Sequence, residues 1–322
     1  MQVYLLLTES CNLRCTYCIR GKKKEDFLEI SAFEKILKEN DFQQDQVLLT
    51  GGEPLMHPYF LEILDLCLES FKYVSINTNG LLFDMHNIKF NPRVHIQVSL
   101  DGPNKVHEKI RGTGTYLKAL DAITEIDRLG YSYNIASVIN KTNYNEIKLL
   151  IPILYELKGM KYWKVEPELP FGCGTWDDCV SADMWNLLVD ELISLSPFRL
   201  CVKKLFDFSL LESLSEEKLD ALRECKFSNC GSCSNKIYIY PDLTVYPCTC
   251  LTDFSIGNLK ENTYKDIINS REVIRFKNYT LDEKSVCYRC KYVKFCNGGC
   301  IGCSYHYFGK LGMGDGRCPM NH

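Results

Sequence analysis

The residues of this chain best equipped for chemistry are its cysteines. There are 18 of them in 322 residues, and they are unevenly spread. Cys11, Cys15 and Cys18 fall within eight residues, directly after the apolar run Val3–Leu7, and eleven more lie between Cys225 and Cys318. Thiolates are the soft ligands that iron–sulfur clusters and zinc prefer. Three in one short loop is an informative number. A cube-shaped four-iron cluster held by three thiolates keeps one iron without a protein ligand, open to a substrate or cofactor. The competing reading of the loop is half of a zinc site.

The rest of the composition narrows the setting. Hydrophobic residues make up 46% and charged residues 25% of the chain, close to the globular average. A net charge of −3 gives no electrostatic case for nucleic acid or an anionic membrane. No apolar run approaches the ~20 residues a membrane span needs, and the start lacks the parts of a secretory signal. A cytoplasmic location is expected. That compartment keeps thiols reduced, so this many cysteines call for metal binding rather than disulfides.

Apolar periodicity supplies the elements that must hold these groups. Strands are expected at Val3–Leu7, Val47–Leu49, Tyr73–Asn77, Val94–Leu100, Tyr133–Ile139 and Lys161–Val165. Helices are expected at Ser31–Glu39 with Ser31 as N-cap, at Pro58–Ser70 with Leu61, Leu64, Leu66 and Leu68 inward, and at Tyr116–Leu129, Tyr144–Leu157 and Ala182–Leu195. Such alternation implies a parallel sheet with right-handed crossovers. Six units suggest an α/β fold in the form of a partial (β/α)6 TIM-like barrel over residues 1–195. A bridge over 196–224 and a small Cys-rich α+β domain over 225–322 would follow, with a hairpin at 237–246 and helical signal at Tyr264–Phe276. Barrels of this kind work at the C-terminal ends of their strands. Cys11–Cys18, Gly51-Gly52-Glu53-Pro54, Asn77–Gly80 and Ser99–Pro103 each follow a strand.

The C-x3-C-x2-C loop, with Tyr17 before its last cysteine, closely resembles the cluster loop of the radical S-adenosylmethionine (radical SAM) superfamily. Gly51-Gly52-Glu53-Pro54 resembles that superfamily's motif for the methionine amino group. Val98–Pro103 with His107 and Arg111 resembles the fourth-strand region of its peptide-modifying members. The resemblance implies a [4Fe–4S] cluster on Cys11, Cys15 and Cys18 whose open iron chelates S-adenosylmethionine. Ser99 and Asp101 would reach its ribose or methionyl groups, Arg111 a carboxylate, and Asn79 the cofactor or substrate. Tyr17 and Val138 would flank the adenine.

Cys287-x2-Cys290-x5-Cys296-x3-Cys300, followed by Cys318, is similar to the signature of the SPASM domain. Cys233 and Cys248 keep that family's upstream spacing, although its usual glycine is Leu243 here. Two auxiliary [4Fe–4S] clusters are implied, three clusters in all. Cys287, Cys290, Cys296 and Cys318 would hold the outer one. Cys300 would join Cys233 and Cys248 on the inner one, with Cys230 preferred to Cys225 as fourth ligand. Cys250 and Cys303 sit among these as candidate ligands, radical partners or hydrogen donors. The same spacings also serve zinc.

The activity this implies is hydrogen abstraction from a peptide or protein by a 5′-deoxyadenosyl radical, with oxidative crosslinking favoured in ribosomal peptide maturation. Epimerisation, sulfatase-type formylglycine formation, small-molecule chemistry and a non-catalytic metal scaffold are the rivals. Sulfatase maturases of this type usually carry Asp after the cysteine matching Cys248, where this chain has Thr249. An external flavodoxin- or ferredoxin-like reductant is implied. The chain leaves no room for a leader-peptide-binding domain, so recognition is expected at the barrel mouth or from a separate protein. Trp163, Glu166 and Glu168 are candidate substrate-site residues.

Overall fold

The computed structural model describes residues 1–321 except Lys22, Lys23, Gln43, Gln44 and residues 224–231. Six parallel strands run in sequence order: β1 (Gln2–Thr8), β2 (Gln46–Gly51), β3 (Tyr73–Thr78), β4 (Val94–Ser99), β5 (Ser132–Ile139) and β6 (Met160–Pro167). Between and after them lie α1 (Ile30–Glu39), α2 (Phe60–Ser70), α3 (Asn104–Arg111), α4 (Thr115–Arg128), α5 (Ile151–Tyr155) and α6 (Ala182–Leu195). This is the partial (β/α)6 barrel the alternation implied.

The strands are two-faced, as a period of two requires. On β4, Val94, Ile96 and Val98 are buried, while His95, Gln97 and Ser99 alternate with them and are only partly covered. β3 does the same with Val74, Ile76 and Thr78 against Ser75 and Asn77. The buried set joins Ala119, Ala122 and Ile123 of α4 in one apolar core. Asn77 and Gln97 instead border an internal cavity. Apolar side chains therefore fix the barrel's shape, and polar ones face its lumen.

Several local expectations need correction. The first helix is capped by Glu29, whose carboxylate accepts from the Ser31 and Ala32 amides, so Ser31 is inside the helix. Leu61 is 41% exposed, and Phe60, Ile63, Leu64 and Cys67 carry the buried face of α2. Only a 3-10 turn (Ile147–Leu150) and the short α5 form where Tyr144–Leu157 was expected. Pro152 sits at the start of α5, where its missing N–H is tolerated. The helical signal at Tyr264–Phe276 is borne out, as two helices, Tyr264–Ile268 and Arg271–Lys277.

The sheet does not stop at the barrel. β7 (Leu200–Cys201), within the expected bridge, pairs in parallel with β6. β8 (Lys236–Ile239) pairs in parallel with β1, then β9 (Thr244–Tyr246) and β10 (Gly257–Asn258) add antiparallel, giving ten strands in one sheet among the described residues. Leu243 holds the hairpin turn at φ 68°. That is the left-handed backbone a glycine would favour, at a cost of roughly 1–2 kcal/mol for a leucine, and Leu243 is buried in the apolar core.

Candidate active site

The Cys11–Cys18 loop leaves the end of β1 with its three thiols half-buried. Neighbouring backbone stitches it in place. Gly52 N–H donates to Thr8 O (2.8 Å) and Glu53 N–H to Ser10 O (2.9 Å), while Thr16 N–H reaches Ile110 O at the end of α3 (3.1 Å). A methyl on Gly51 would sit 2.2 Å from Thr8 O, and one on Gly52 2.1 Å from Ser10 O. The paired glycines thus admit the close approach of β1 and its loop. The Gly52 and Glu53 amides turn inward to that backbone.

Glu53 lies beneath them, buried. It accepts from Thr78 Oγ1 (2.7 Å), Asn79 N–H (2.8 Å) and Leu55 N–H (3.3 Å). Burial outweighs these bonds and pushes its carboxyl up to about 7. Pro54 opens the short turn Pro54–Met56 that follows. Asn79 Nδ2 donates to Asn12 Oδ1 in the cysteine loop (2.8 Å), so the third strand's end also braces that loop.

Asp101 is the hub of the opposite wall. It is fully buried and accepts from Tyr17 Oη (2.6 Å), Arg111 Nε (2.5 Å) and the Val138 amide (2.9 Å). Arg111 also donates to the Tyr17 hydroxyl and brings Nη1 to 4.0 Å from Cys15 Sγ. Its carboxylate partner is therefore within the chain, at Asp101. Burial pushes the Cys15 thiol up to about 11, against the pull of Arg111. Val138 stands beside Tyr17 on a cavity wall, and Ser99 closes β4 opposite Ala136.

Two partners of this hub carry no sequence signal of their own. Asn143 Nδ2 donates to both Asp101 O and Val138 O at 2.8 Å. His107 Nδ1 takes the Asp101 amide (3.2 Å), and its buried Nε2 has no partner among the described residues. Asn143 looks like an ordinary turn residue, and His107 is legible only through the motif that contains it.

A cavity of about 590 Å³ begins at Tyr17 and Val138 and runs past Glu166, Pro167 and Leu205 to Cys300 and Arg317. It shares Lys164, Lys203, Cys300 and Arg317 with a second cavity of about 680 Å³ that reaches Tyr4, Cys248, Thr249 and Cys250. Of the candidate substrate-site residues, Glu166 borders this space and pairs with Lys164 (2.7 Å). Trp163 does not: it is in the core, donating to Ser137 Oγ (2.8 Å). Glu168 is buried against Asn140 (2.7 Å). Neither lines the two cavities, which corrects their expected place.

Cys248, Cys250, Cys300 and Cys303 pack together around Phe171. The Cys250 thiol lowers the pKa of Cys248 by hydrogen bonding to it, and Cys303 does the same for Cys300. One acidic oxygen of Asp315 lies within 4.8 Å of the Cys300 and Cys303 sulfurs. Cys233 is fully buried beside the hairpin. Cys230 and Cys225 lie outside the described residues. Cys287, Cys290, Cys296 and Cys318 line one small apolar cavity with Val293, Gly298 and Met320. Four thiols lining one cavity, with no carboxylate or imidazole among its other described lining residues, are a donor set that fits a four-iron cluster.

Against known proteins, residues 5–151 match the model of the radical SAM superfamily and residues 230–291 that of an iron–sulfur cluster-binding domain, SPASM. The chain is a radical SAM enzyme with a SPASM domain. This radical SAM chain is 25% identical to a cysteine-type anaerobic sulfatase-maturating enzyme of Clostridium novyi, over 91% of the chain and 85% of the relative. It is 27% identical to the antilisterial bacteriocin subtilosin biosynthesis protein of Bacillus subtilis, over 91% and 65%. Its fold is similar to that of Streptococcus suis SuiB bound to S-adenosylmethionine, with a TM-score of 0.75, 17% identity, and coverage of 100% and 77%. Among the described residues, no helix is long and apolar enough to cross a membrane.

Proposed function

We propose that this enzyme modifies a peptide or protein by hydrogen abstraction, and that the reaction is an oxidative crosslink in ribosomal peptide maturation. The observation that carries the reading is the adjoining pair of cavities, walled by Tyr17 and Val138 at one end and by Cys248 and Cys300 at the other. A substrate held there reaches from Tyr17 of the cysteine loop to Cys248 and Cys300. The relatives' names, sulfatase maturation and bacteriocin biosynthesis, describe work on polypeptides.

Cys11, Cys15 and Cys18 would hold the S-adenosylmethionine cluster. Cys233, Cys248 and Cys300, with Cys230, would hold an inner auxiliary cluster, and Cys287, Cys290, Cys296 and Cys318 an outer one. When bound, the first cluster and S-adenosylmethionine supply a 5′-deoxyadenosyl radical. The Gly51 and Gly52 carbonyls would accept from the cofactor's ammonium, while those of Glu53 and Pro54 already accept from Met56 N–H (3.1 Å) and His57 N–H (3.0 Å). Tyr17 is locked by Asp101 and Arg111 and gives the adenine a fixed aromatic wall. The barrel's apolar shell keeps water from the reacting C–H bond. An oxidation suits a full cluster set, since an auxiliary cluster on Cys233, Cys248 and Cys300 would supply a one-electron acceptor.

Sulfatase-type oxidation of Ser or Cys is the second reading, favoured by the Clostridium relative. Against it, Thr249 borders the cavity where those maturases are expected to carry a carboxylate, and among the described residues its hydroxyl meets the Tyr240 hydroxyl at 3.4 Å. The test is direct. Anaerobic enzyme should hold about twelve irons per chain for three four-iron clusters. Once reduced, it should convert S-adenosylmethionine to 5′-deoxyadenosine, and Cys11→Ala/Cys15→Ala/Cys18→Ala should abolish this. Stoichiometric zinc without iron, or turnover by the triple variant, overturns the reading.

A further inference from the structure

From Lys284 to Gly314 the chain has no acidic residue and five basic ones, in a protein of net charge −3. This stretch wraps the four-cysteine cavity. Val286, Cys287, Cys290, Val293 and Cys296 line the cavity, and Met320 closes it. The cover is thin: Val286 is 57% and Met320 42% exposed, and Tyr288 beside them 49%. Such large apolar side chains in solvent, gathered in one place, mark a contact surface.

The cations are placed around that centre. Lys284 precedes Cys287, Arg289 precedes Cys290, and Lys294 lies between Cys290 and Cys296, all three exposed. Two other basic groups of the stretch are already neutralised, Lys291 by Glu212 (3.0 Å) and Lys310 by Asp282. Asp315 is buried against Arg317 (2.8 Å). Glu283 is the acid next to the rim. The result is an apolar centre with a positive border, directly over a site built from four thiols.

We propose that this surface docks an acidic one-electron carrier protein, a flavodoxin or ferredoxin in type, and passes single electrons to the outer cluster. In the step itself one electron leaves the carrier's redox centre and reduces the outer cluster by one; no proton or atom moves. Opposite charges speed the encounter and orient the partner. The apolar centre lets the two redox centres approach without intervening charge. The inference rests on the reading that Cys287, Cys290, Cys296 and Cys318 hold a cluster, so its test separates the two.

The experiment follows bleaching of cluster absorbance in anaerobic holoenzyme after mixing with reduced flavodoxin. A net-uncharged, sulfonated viologen serves as the reductant that needs no docking. Wild type should be reduced by flavodoxin at a rate that falls steeply with salt. The variant Lys284→Glu/Arg289→Glu/Lys294→Glu should lose about ten-fold or more of that rate at low ionic strength. Its iron content and its reduction by the viologen should be unchanged. Equal flavodoxin rates in both proteins, with equal salt dependence, overturn the proposal. Unchanged flavodoxin rates with lost binding of a substrate peptide overturn it too, and give the surface to the peptide. Should the triple reversal lose iron or viologen reduction, the milder Lys284→Ala/Lys294→Ala protein decides by the same two rates.

Discussion

At the residue scale, the most exposed hypothesis concerns Glu53. A carboxyl with three hydrogen-bond donors would ordinarily titrate low. Here burial wins and carries it from 4.5 up to about 7. A raised acid binds its proton more tightly in the folded chain than in the unfolded one. Its contribution to stability is therefore complete below about 4.5 and is lost as pH rises through about 7. The size is about 3 kcal/mol at ~1.4 kcal/mol per tenfold change in proton affinity. Glu53→Gln keeps the shape and removes the titration. The stability gap between the wild type and this variant should shrink by about that amount from pH 4.5 to pH 8, read from urea midpoints at matched iron content. A gap that is constant with pH would refute the buried, raised carboxyl.

At the element scale, the cysteine loop is held by strand ends rather than by its own sequence. Gly52 is the tightest point, with no room for a Cβ against Ser10 O at 2.1 Å. Gly52→Ala must push the loop off β2, at a cost of roughly 1–3 kcal/mol. The expected outcome is loss of about four irons, one four-iron cluster, and of 5′-deoxyadenosine formation, while the SPASM irons stay. Gly114 gives the control: its φ is +76° and a Cβ there meets nothing within 4 Å. Gly114→Ala therefore strains only the backbone and should keep its iron. Full iron and turnover in Gly52→Ala would show that the loop tolerates displacement. The same scale explains what could be read in advance. β4 announces itself through Val94, Ile96 and Val98, because one buried face imposes a period of two. α3 does not, since Val106 and Ile110 are its only aliphatic residues. Over Tyr144–Leu157 the apolar period is helical, but the chain first spends Asn140 and Asn143 on a side-chain-bonded turn, leaving a 3-10 segment and a short helix. The cavity walls were illegible for another reason. Tyr4, Asn77, Gln97, Lys164 and Arg317 converge from five distant stretches, and no local pattern reports that.

At the scale of the whole molecule, the cysteine-rich region and the barrel share a sheet. β8 lies along β1 from Gln2↔Lys236 to Leu5↔Ile239, and Leu6 packs with Tyr238 and Tyr240. At the other margin β7 covers β6. Cutting after residue 195 would strip a neighbour from both outer barrel strands. β1 would then present an unpaired edge beside Leu5, Leu6 and Leu7, all fully buried in the intact chain. Uncovering even one such side chain costs about 2 kcal/mol, and a bare apolar edge pairs with other copies. A fragment of residues 1–195 is accordingly expected to aggregate on expression. The intact holoenzyme should lose barrel circular dichroism and auxiliary-cluster absorbance together in one urea transition. A soluble 1–195 fragment with native-like circular dichroism, or two separated transitions, would show instead that the barrel closes without the hairpin. In that case the cavity from Tyr17 to Cys300 would lie between independent units. Coupling is what the shared sheet requires, and it is what the proposed reaction needs, since a substrate lying between Tyr17 and Cys300 must keep a fixed separation from both ends while it reacts.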